Sequence, residues 1–231
     1  MTTPTTSLER SPASRERLAL AIWLVVAAVQ IATSFGLRGD GGSAGDEPIF
    51  DYALGVGSLF VYSVIVLVTW AIARLYSDAG DALGLRPFAG RYVGYAAVLV
   101  VASLIVAAAL EPVLNAGEEQ GLAPQEWESG RLAPFLFNAI VIVTVVPFAE
   151  ELFFRGLGVT VLGQFGPAAA VIGTALIFGL AHGILVALPP LVFFALGLAW
   201  IRLRSQSVWP GVIAHSAFNA IGLAAAALTA S

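Results

Sequence analysis

The sequence predicts an all-α protein, a polytopic bundle of about seven transmembrane helices. Two compositional facts carry this prediction: 58% of the 231 residues are hydrophobic and only 11% are charged. Soluble domains carry about 25% charged residues. The third observation is that the apolar runs are long enough to cross a bilayer and lack the alternation of barrel strands. Hydrocarbon offers unpaired backbone groups no partner, so each run is expected to form a helix.

The apolar runs define the elements in order, and six to eight spans fit them. Residues 1–17, rich in Thr, Ser and Pro, are predicted to be a disordered cytoplasmic tail. The first run could be a signal peptide, but no Ala-x-Ala site follows it, which favours a retained anchor. A turn is expected at Pro189 and Pro190. The predicted spans are Leu18–Leu37, Tyr52–Ala73, Tyr92–Leu114, Leu132 to about Leu162, Pro167–Leu188, Leu191–Ile201 and Val208–Leu228.

The distribution of arginine predicts the orientation and the compartment. With the N-terminus in the cytoplasm, all of the 11 basic residues except Arg38 and Arg131 fall at cytoplasmic ends of spans. We therefore expect a multi-pass protein of the cytoplasmic membrane, in contact with lipid. The chain has no lysine and no basic stripe, which argues against nucleic-acid binding. It also has no cysteine, which excludes disulfides and cysteine-ligated zinc. The oligomeric state is left open.

Four ionisable residues lie inside the apolar stretches of the second half: Glu150, Glu151, His182 and His215. A charged side chain near the bilayer centre costs at least about 2.5–3.5 kcal/mol. Such residues are expected to face a cavity or a partner and to serve function. The two histidines are the only ones in the chain.

The spacing of these residues places polar pairs on single helix faces. Residues four apart share a face, which applies to Glu151 with Arg155, to Phe178 with His182 and to His215 with Asn219. Glu151 and Arg155 stand in the favourable order for a helical ion pair.

The four ionisable residues can meet only if they lie at the same depth in the membrane. At about 1.5 Å per residue, the glutamates reach the level of the histidines only if the fourth span continues to about Leu162. We therefore predict that Gly156 and Gly158 do not end this helix and that the turn lies at Gly163–Gly166.

The three polar pairs also resemble motifs of a known family. The motifs are Glu150-Glu151-x-x-x-Arg155, Phe178-x-x-x-His182 and His215-x-x-x-Asn219, in this order. They resemble those of the CAAX protease and bacteriocin-processing family, also called the Abi or type II CAAX prenyl endopeptidase family. A weaker intervening motif corresponds to Phe194-x-x-Gly197 with Arg202. The resemblance covers about residues 134–225, so we predict a catalytic membrane domain at residues 132–229, whereas residues 18–131 are predicted only to form transmembrane helices and their connections.

This resemblance implies an intramembrane endopeptidase that cleaves a membrane-associated peptide or protein in a cavity open to the cytosol. Glu150 and His182 would activate the attacking water, and His215 with Asn219 would stabilise the oxyanion. Such a mechanism fits peptide hydrolysis, which needs a base and also donors aimed at the developing negative charge.

The resemblance gives the remaining residues supporting roles. Glu151, paired with Arg155, would hold the helix and tune its catalytic neighbour, although the pair could equally be a purely structural ion pair. Phe178 is expected beside the site, whereas Phe153, Phe154, Phe193 and Phe194 are expected to face lipid or the core.

Three alternatives remain open, and the second of them comes from the family resemblance. Glu150, His182 and His215 could bind a catalytic Zn²⁺ with one open position. No His-Glu-x-x-His helix favours zinc, so we expect no cofactor. The protein could also be a non-catalytic bacteriocin-immunity or scaffold protein. A proton-coupled transporter is the third alternative, although no inverted repeat relates the two halves.

Overall fold

The structure is a computed structural model that describes residues 12–39, 47–116 and 126–230. Within these ranges all regular structure is helical, and six helices are long and apolar enough to cross a membrane. A shorter apolar helix, Pro167–Ala181, is a seventh. The prediction of an all-α bundle with about seven spans is therefore confirmed. The helices are α1 (Pro12–Gly39), α2 (Tyr52–Ala73), α3 (Ala79–Leu83), α4 (Arg91–Leu114), α5 (Leu132–Gly163), α6 (Pro167–Ala181), α7 (Leu188–Ser205) and α8 (Trp209–Thr229). Two short 3₁₀ turns, Pro48–Phe50 and Ser129–Arg131, precede α2 and α5.

The seven apolar helices of the described residues run alternately up and down, and contacts between their ends define two ends of the bundle. At one end, Tyr92 at the start of α4 donates to the Arg204 carbonyl at the end of α7. At the other, Asn138 near the start of α5 donates to the Ile49 carbonyl just before α2. We call the first the arginine-rich end, because its exposed basic residues are Arg15, Arg17, Arg74, Arg86, Arg91 and Arg204. We call the second the acidic end, because Glu47, Asp51, Glu126 and Glu128 lie there.

Helix α5 carries Glu150, Glu151 and Arg155, and its backbone is not α-helical throughout. Residues Val141–Val145 and Glu151–Gly158 are π-helical, and the segments around them are α-helical. Pro147 lacks an N–H, and its ring would clash with the carbonyl four residues earlier in a regular α-helix. The wider turn that precedes Pro147 relieves this conflict. The helix continues to Gly163, so the predicted extension beyond Arg155 is confirmed.

The second π segment packs against the remainder of the bundle at very short range. A Cβ on Gly156 would lie 2.8 Å from the Leu83 carbonyl oxygen of α3. A Cβ on Gly158 would lie 2.7 Å from the Trp23 ring of α1. Trp23 also donates its ring N–H to the Phe153 carbonyl at 3.1 Å. Glycine at these two positions therefore lets α1 and α3 contact the backbone that carries the motif residues.

The boundaries of α6 and α7 differ from the prediction. Helix α6 ends at Ala181 rather than at Leu188, because Gly183 follows with a φ of +68°. Pro189 and Pro190 do not form a turn: they lie in the first turn of α7. Proline fits this position because the first helical N–H groups have no partner within the helix. The sixth span is accordingly longer than Leu191–Ile201.

The start of α1 also corrects the prediction for the N-terminal tail. Residues 12–17 belong to the first turns of this helix rather than to a disordered segment. Residues 1–11 lie outside the described residues. The N-terminal helices and the motif-bearing helices share one core, in which Trp23, Ile65, Leu83, Phe153 and Phe178 are buried.

Candidate active site

The centre of the site is His215, which lies between the two adjacent carboxylates of α5. Its Nδ1 lies 3.2 Å from Glu151 Oε1, and its Nε2 lies 3.6 Å from Glu150 Oε2. A carboxylate oxygen accepts, so Nδ1 donates its proton to Glu151. The Nε2 atom then faces Glu150 across a gap that is slightly longer than a direct hydrogen bond. The two carboxylates thus contact different edges of one imidazole.

Glu150 has a second partner, which lies outside the three sequence motifs. The hydroxyl of Tyr62, halfway along α2, donates to Glu150 Oε1 at 2.7 Å. One carboxylate oxygen is therefore held by a phenol, and the other faces an imidazole. Tyrosine in membrane helices concentrates at the interfaces. A tyrosine in the middle of a span is the sequence signal that could have pointed to Tyr62.

His182 lies at the end of α6, where the helix leaves carbonyl groups unpaired. Its Nδ1 lies 2.8 Å from the Phe178 carbonyl oxygen. A carbonyl only accepts, so Nδ1 carries the proton, and in the neutral ring Nε2 carries the lone pair. The orientation of the ring is further fixed by Phe178, whose ring centroid is 4.6 Å away. The histidine was predicted inside a longer helix and instead caps a shorter one.

Arg155 lies behind the site, fully buried beside Glu151. Its Nη1 is 3.0 Å from Glu151 Oε1, so the predicted ion pair is present. Within the described part of the chain, none of its three nitrogens makes an aligned hydrogen bond. The guanidinium instead lies over the ring of Phe178, 4.1 Å from the centroid. Arg155 therefore holds both a carboxylate of the glutamate pair and the aromatic ring that touches His182.

Asn219 is held by the first π segment of α5. Its Nδ2 donates to the Ile142 carbonyl at 3.0 Å. An amide nitrogen carries two protons, so this bond leaves a second donor, and the side chain lines the same cavity as the two histidines. The hydrogen bond connects α8 to the widened turn of α5.

Gly211 permits the close contact between α8 and Glu151. A Cβ at this position would lie 2.5 Å from Glu151 Oε2, well inside normal contact distance. Gly211 lies one helical turn before His215, on the same face of α8. The absence of a side chain therefore allows the carboxylate to reach the histidine. Gly211 belongs to none of the three sequence motifs.

These side chains line one cavity of about 350 Å³. Glu150, His182, His215 and Asn219 all contribute to its wall, together with Tyr62, Phe178 and Phe194. Phe194 is buried in the core, as predicted, but it also lies beside the site, where only Phe178 was expected, since its ring centroid lies 5.5 Å from that of His215. Glu151 and Arg155 are buried behind the wall.

The side chains proposed as zinc ligands do not form a metal site in this arrangement. Among the described residues, no group of three or more histidines and carboxylates is placed to hold a metal ion. Nδ1 of His215 is taken by Glu151 and Nδ1 of His182 by a backbone carbonyl. Metal-binding histidines also donate one ring N–H to a carboxylate or a carbonyl, so these two hydrogen bonds do not decide the matter, and the expectation of a metal-free site stays a prediction.

The second half of the chain matches the model of a known protein family. Residues 132–221 match the family model described as "Type II CAAX prenyl endopeptidase Rce1-like". This range starts at the first residue of α5, ends within α8 and contains all three motifs. Searches of curated proteins and of solved structures returned no match.

Proposed function

We propose that this chain is an intramembrane endopeptidase of the type II CAAX prenyl endopeptidase (Rce1-like) family, whose model residues 132–221 match. It would hydrolyse a peptide bond of a membrane-associated protein or peptide, in the cytoplasmic membrane and without a cofactor. The observation that carries the proposal is the contact of His215 with both Glu150 and Glu151 in the wall of a cavity inside an apolar bundle. Such costly polar groups are expected where they do chemistry.

The proposed reaction assigns the attacking water to Glu150 and His182. The water would lie in the cavity between these two side chains, and Glu150 would take its proton as the oxygen attacks the peptide carbonyl. Tyr62 orients the carboxylate through the hydroxyl bond at 2.7 Å. The same proton would then pass to the leaving amine, so that water and a peptide bond give an acid and an amine.

The oxyanion of the tetrahedral intermediate is assigned to His215 and Asn219. Both donors belong to α8, four residues apart on one face. Asn219 has a second N–H beyond the one bound to Ile142, and His215 can donate from Nε2 when this atom is protonated. One oxyanion donor contributes about 2.7–4 kcal/mol to transition-state stabilisation. Glu151 and Arg155 act through His215 and Phe178 and are positioning residues.

The proposal is tested with purified protein and with membranes. Membrane proteomes from cells with the wild-type protein or with Glu150→Gln would be compared, and the polypeptide that is cleaved only by the wild type would then serve as substrate in detergent. Glu150→Gln and His182→Ala should abolish cleavage while the thermal unfolding temperature stays near that of the wild type. Glu126→Gln, which changes an exposed glutamate at the acidic end, is the matched control and should cleave normally.

The same experiment separates the proposal from its alternatives. Full activity in Glu150→Gln or His182→Ala would remove the mechanism. A non-catalytic immunity or scaffold protein would give identical proteomes with the wild type and with Glu150→Gln. It would also yield no cleavage product in detergent.

A further inference from the structure

The cavity extends from the catalytic residues in one direction only. Glu150 and His215 lie at one end of it, at the middle of α5 and in the first half of α8. Seven of its other lining residues lie between this level and the acidic end of the bundle. They are Leu54 and Ser58 in the first turns of α2, Ile142 and Val146 in α5, and Gly222, Leu223 and Ala226 in the second half of α8.

The bundle is closed on the arginine-rich side of the same residues. The α5 residues Glu151–Gly158 are all buried, and α3 packs against them through Leu83 and Gly156. The link between α7 and α8 adds a second layer. Val208 donates to the Gly84 carbonyl at 2.9 Å, and the Ser207 hydroxyl donates to the Arg86 carbonyl at 2.6 Å. Buried residues and paired backbone groups therefore separate the site from the arginine-rich end.

A second cavity leads to the same end of the bundle as the first. It has a volume of about 160 Å³ and shares His182, Leu191, Phe194 and Phe218 with the first cavity. From these residues it reaches Leu110, Leu114 and Ala116 in the last turns of α4 and just beyond. The end of α4 belongs to the acidic end, because α4 begins at the arginine-rich end. Both cavities thus lead away from the arginines.

The distribution of exposed charge identifies the two faces of the membrane. The six exposed arginines of the arginine-rich end lie beside the ends of α1, α2, α4 and α7. At the acidic end, Arg38 lies in the last turn of α1, and Arg131 lies among several carboxylates and pairs with Glu128 at 3.0 Å. Segments rich in arginine stay on the cytoplasmic side during insertion. By this rule the arginine-rich end is expected on the cytoplasmic side, and the cavity then leads toward the non-cytoplasmic face.

We infer that the site receives its substrate from the non-cytoplasmic face of the membrane. This inference rests on the proposed function, and it names the substrate class as a polypeptide segment presented on that face after it has crossed the membrane. It also resolves a conflict between two expectations. A cytoplasmic N-terminus and a cavity open to the cytosol exclude each other here, because α1 begins at the end from which the cavity leads away.

Single cysteines test the inference without any need for turnover, because the chain has no cysteine of its own. Four variants would each carry one cysteine: Ser58→Cys and Leu223→Cys in the cavity wall, Thr229→Cys at the end of α8, and Ser77→Cys between α2 and α3. Intact cells would be treated with a quaternary-ammonium methanethiosulfonate, which does not cross bilayers. The fraction of protein modified would be measured by mass spectrometry, before and after permeabilisation.

We expect Thr229→Cys, Ser58→Cys and Leu223→Cys to be modified in intact cells and Ser77→Cys only after permeabilisation. The opposite pattern for Ser77 and Thr229 would overturn the orientation. Cavity cysteines that react only after permeabilisation, or not even in detergent, would overturn the access route. If they react from outside but the protein cleaves nothing, the proposed function fails and the access route stands.

Discussion

Gly211 gives the sharpest test of how the site is held together. In Gly211→Ala, the new Cβ would lie 2.5 Å from Glu151 Oε2, whereas ordinary contact starts at 3.4 Å, so the two groups must separate by about 0.9 Å (3.4 − 2.5). Glu151 is fully buried and has no solvent to move into. The other oxygen of its carboxylate holds His215 Nδ1, and His215 is on the same helix as residue 211. The shift is therefore passed to the catalytic imidazole.

A misplacement of about 1 Å in a catalytic group costs about 100-fold in rate, which corresponds to about 2.7 kcal/mol in the barrier. We therefore expect kcat of Gly211→Ala to fall by about 100-fold, with KM little changed. The assay is cleavage of the polypeptide found by the proteome comparison, with the unfolding temperature measured in parallel. Gly94→Ala in α4 is the control, since its Cβ would meet no atom within 4 Å. A kcat for Gly211→Ala equal to that of Gly94→Ala would refute this reasoning.

Four further predictions follow from the contacts of the site. Tyr62→Phe removes a hydrogen bond to a carboxylate and should lower kcat by about 10- to 100-fold, whereas Tyr52→Phe, at the start of the same helix, should not. Asn219→Ala should lower kcat by about 100- to 1,000-fold, because it removes a donor to the oxyanion. A variant with a lower unfolding temperature but an unchanged kcat would show that Asn219 only connects α8 to α5. Arg155→Met leaves Glu151 buried without its cation and should lower the free energy of unfolding in detergent by about 3–5 kcal/mol. The control Arg131→Met breaks a partly exposed ion pair and should change the free energy of unfolding by no more than about 1 kcal/mol. Activity should survive dialysis against a strong chelator, and a loss that zinc restores would contradict the metal-free mechanism.

Features that depend on spacing along the chain could be predicted from the sequence. The span Tyr52–Ala73 was predicted with the bounds that the structure gives. The Glu151–Arg155 pair follows from a separation of four residues, and it persists although the helix is π-helical there. The extension of α5 to Gly163 followed from requiring the glutamates and histidines to share one depth. These inferences needed only helix geometry and the cost of charge in hydrocarbon.

Features that depend on contacts between distant segments could not be predicted. Tyr62 and Glu150 are 88 positions apart, and no periodicity links them. Gly211 acts through the space that it leaves for Glu151, and a glycine in an apolar helix gives no such signal by itself. The end of α6 was missed because hydropathy does not change at His182. The break depends instead on the positive φ of Gly183 and on the prolines that begin α7.

The hairpin formed by α6 and α7 also bears on how the chain is inserted into the membrane. Helix α6 begins at the arginine-rich end and α7 returns to it, so the pair adds no net crossing. Its tip, residues 182–187, contains an imidazole but no carboxylate or guanidinium, so insertion requires no charged loop to be translocated. Helix α6 has only 15 residues, about 22 Å, and need not reach the far side of a bilayer core of about 30 Å. Whether the insertion machinery treats the hairpin as two spans or as none, α8 starts from the same face and crosses in the same direction.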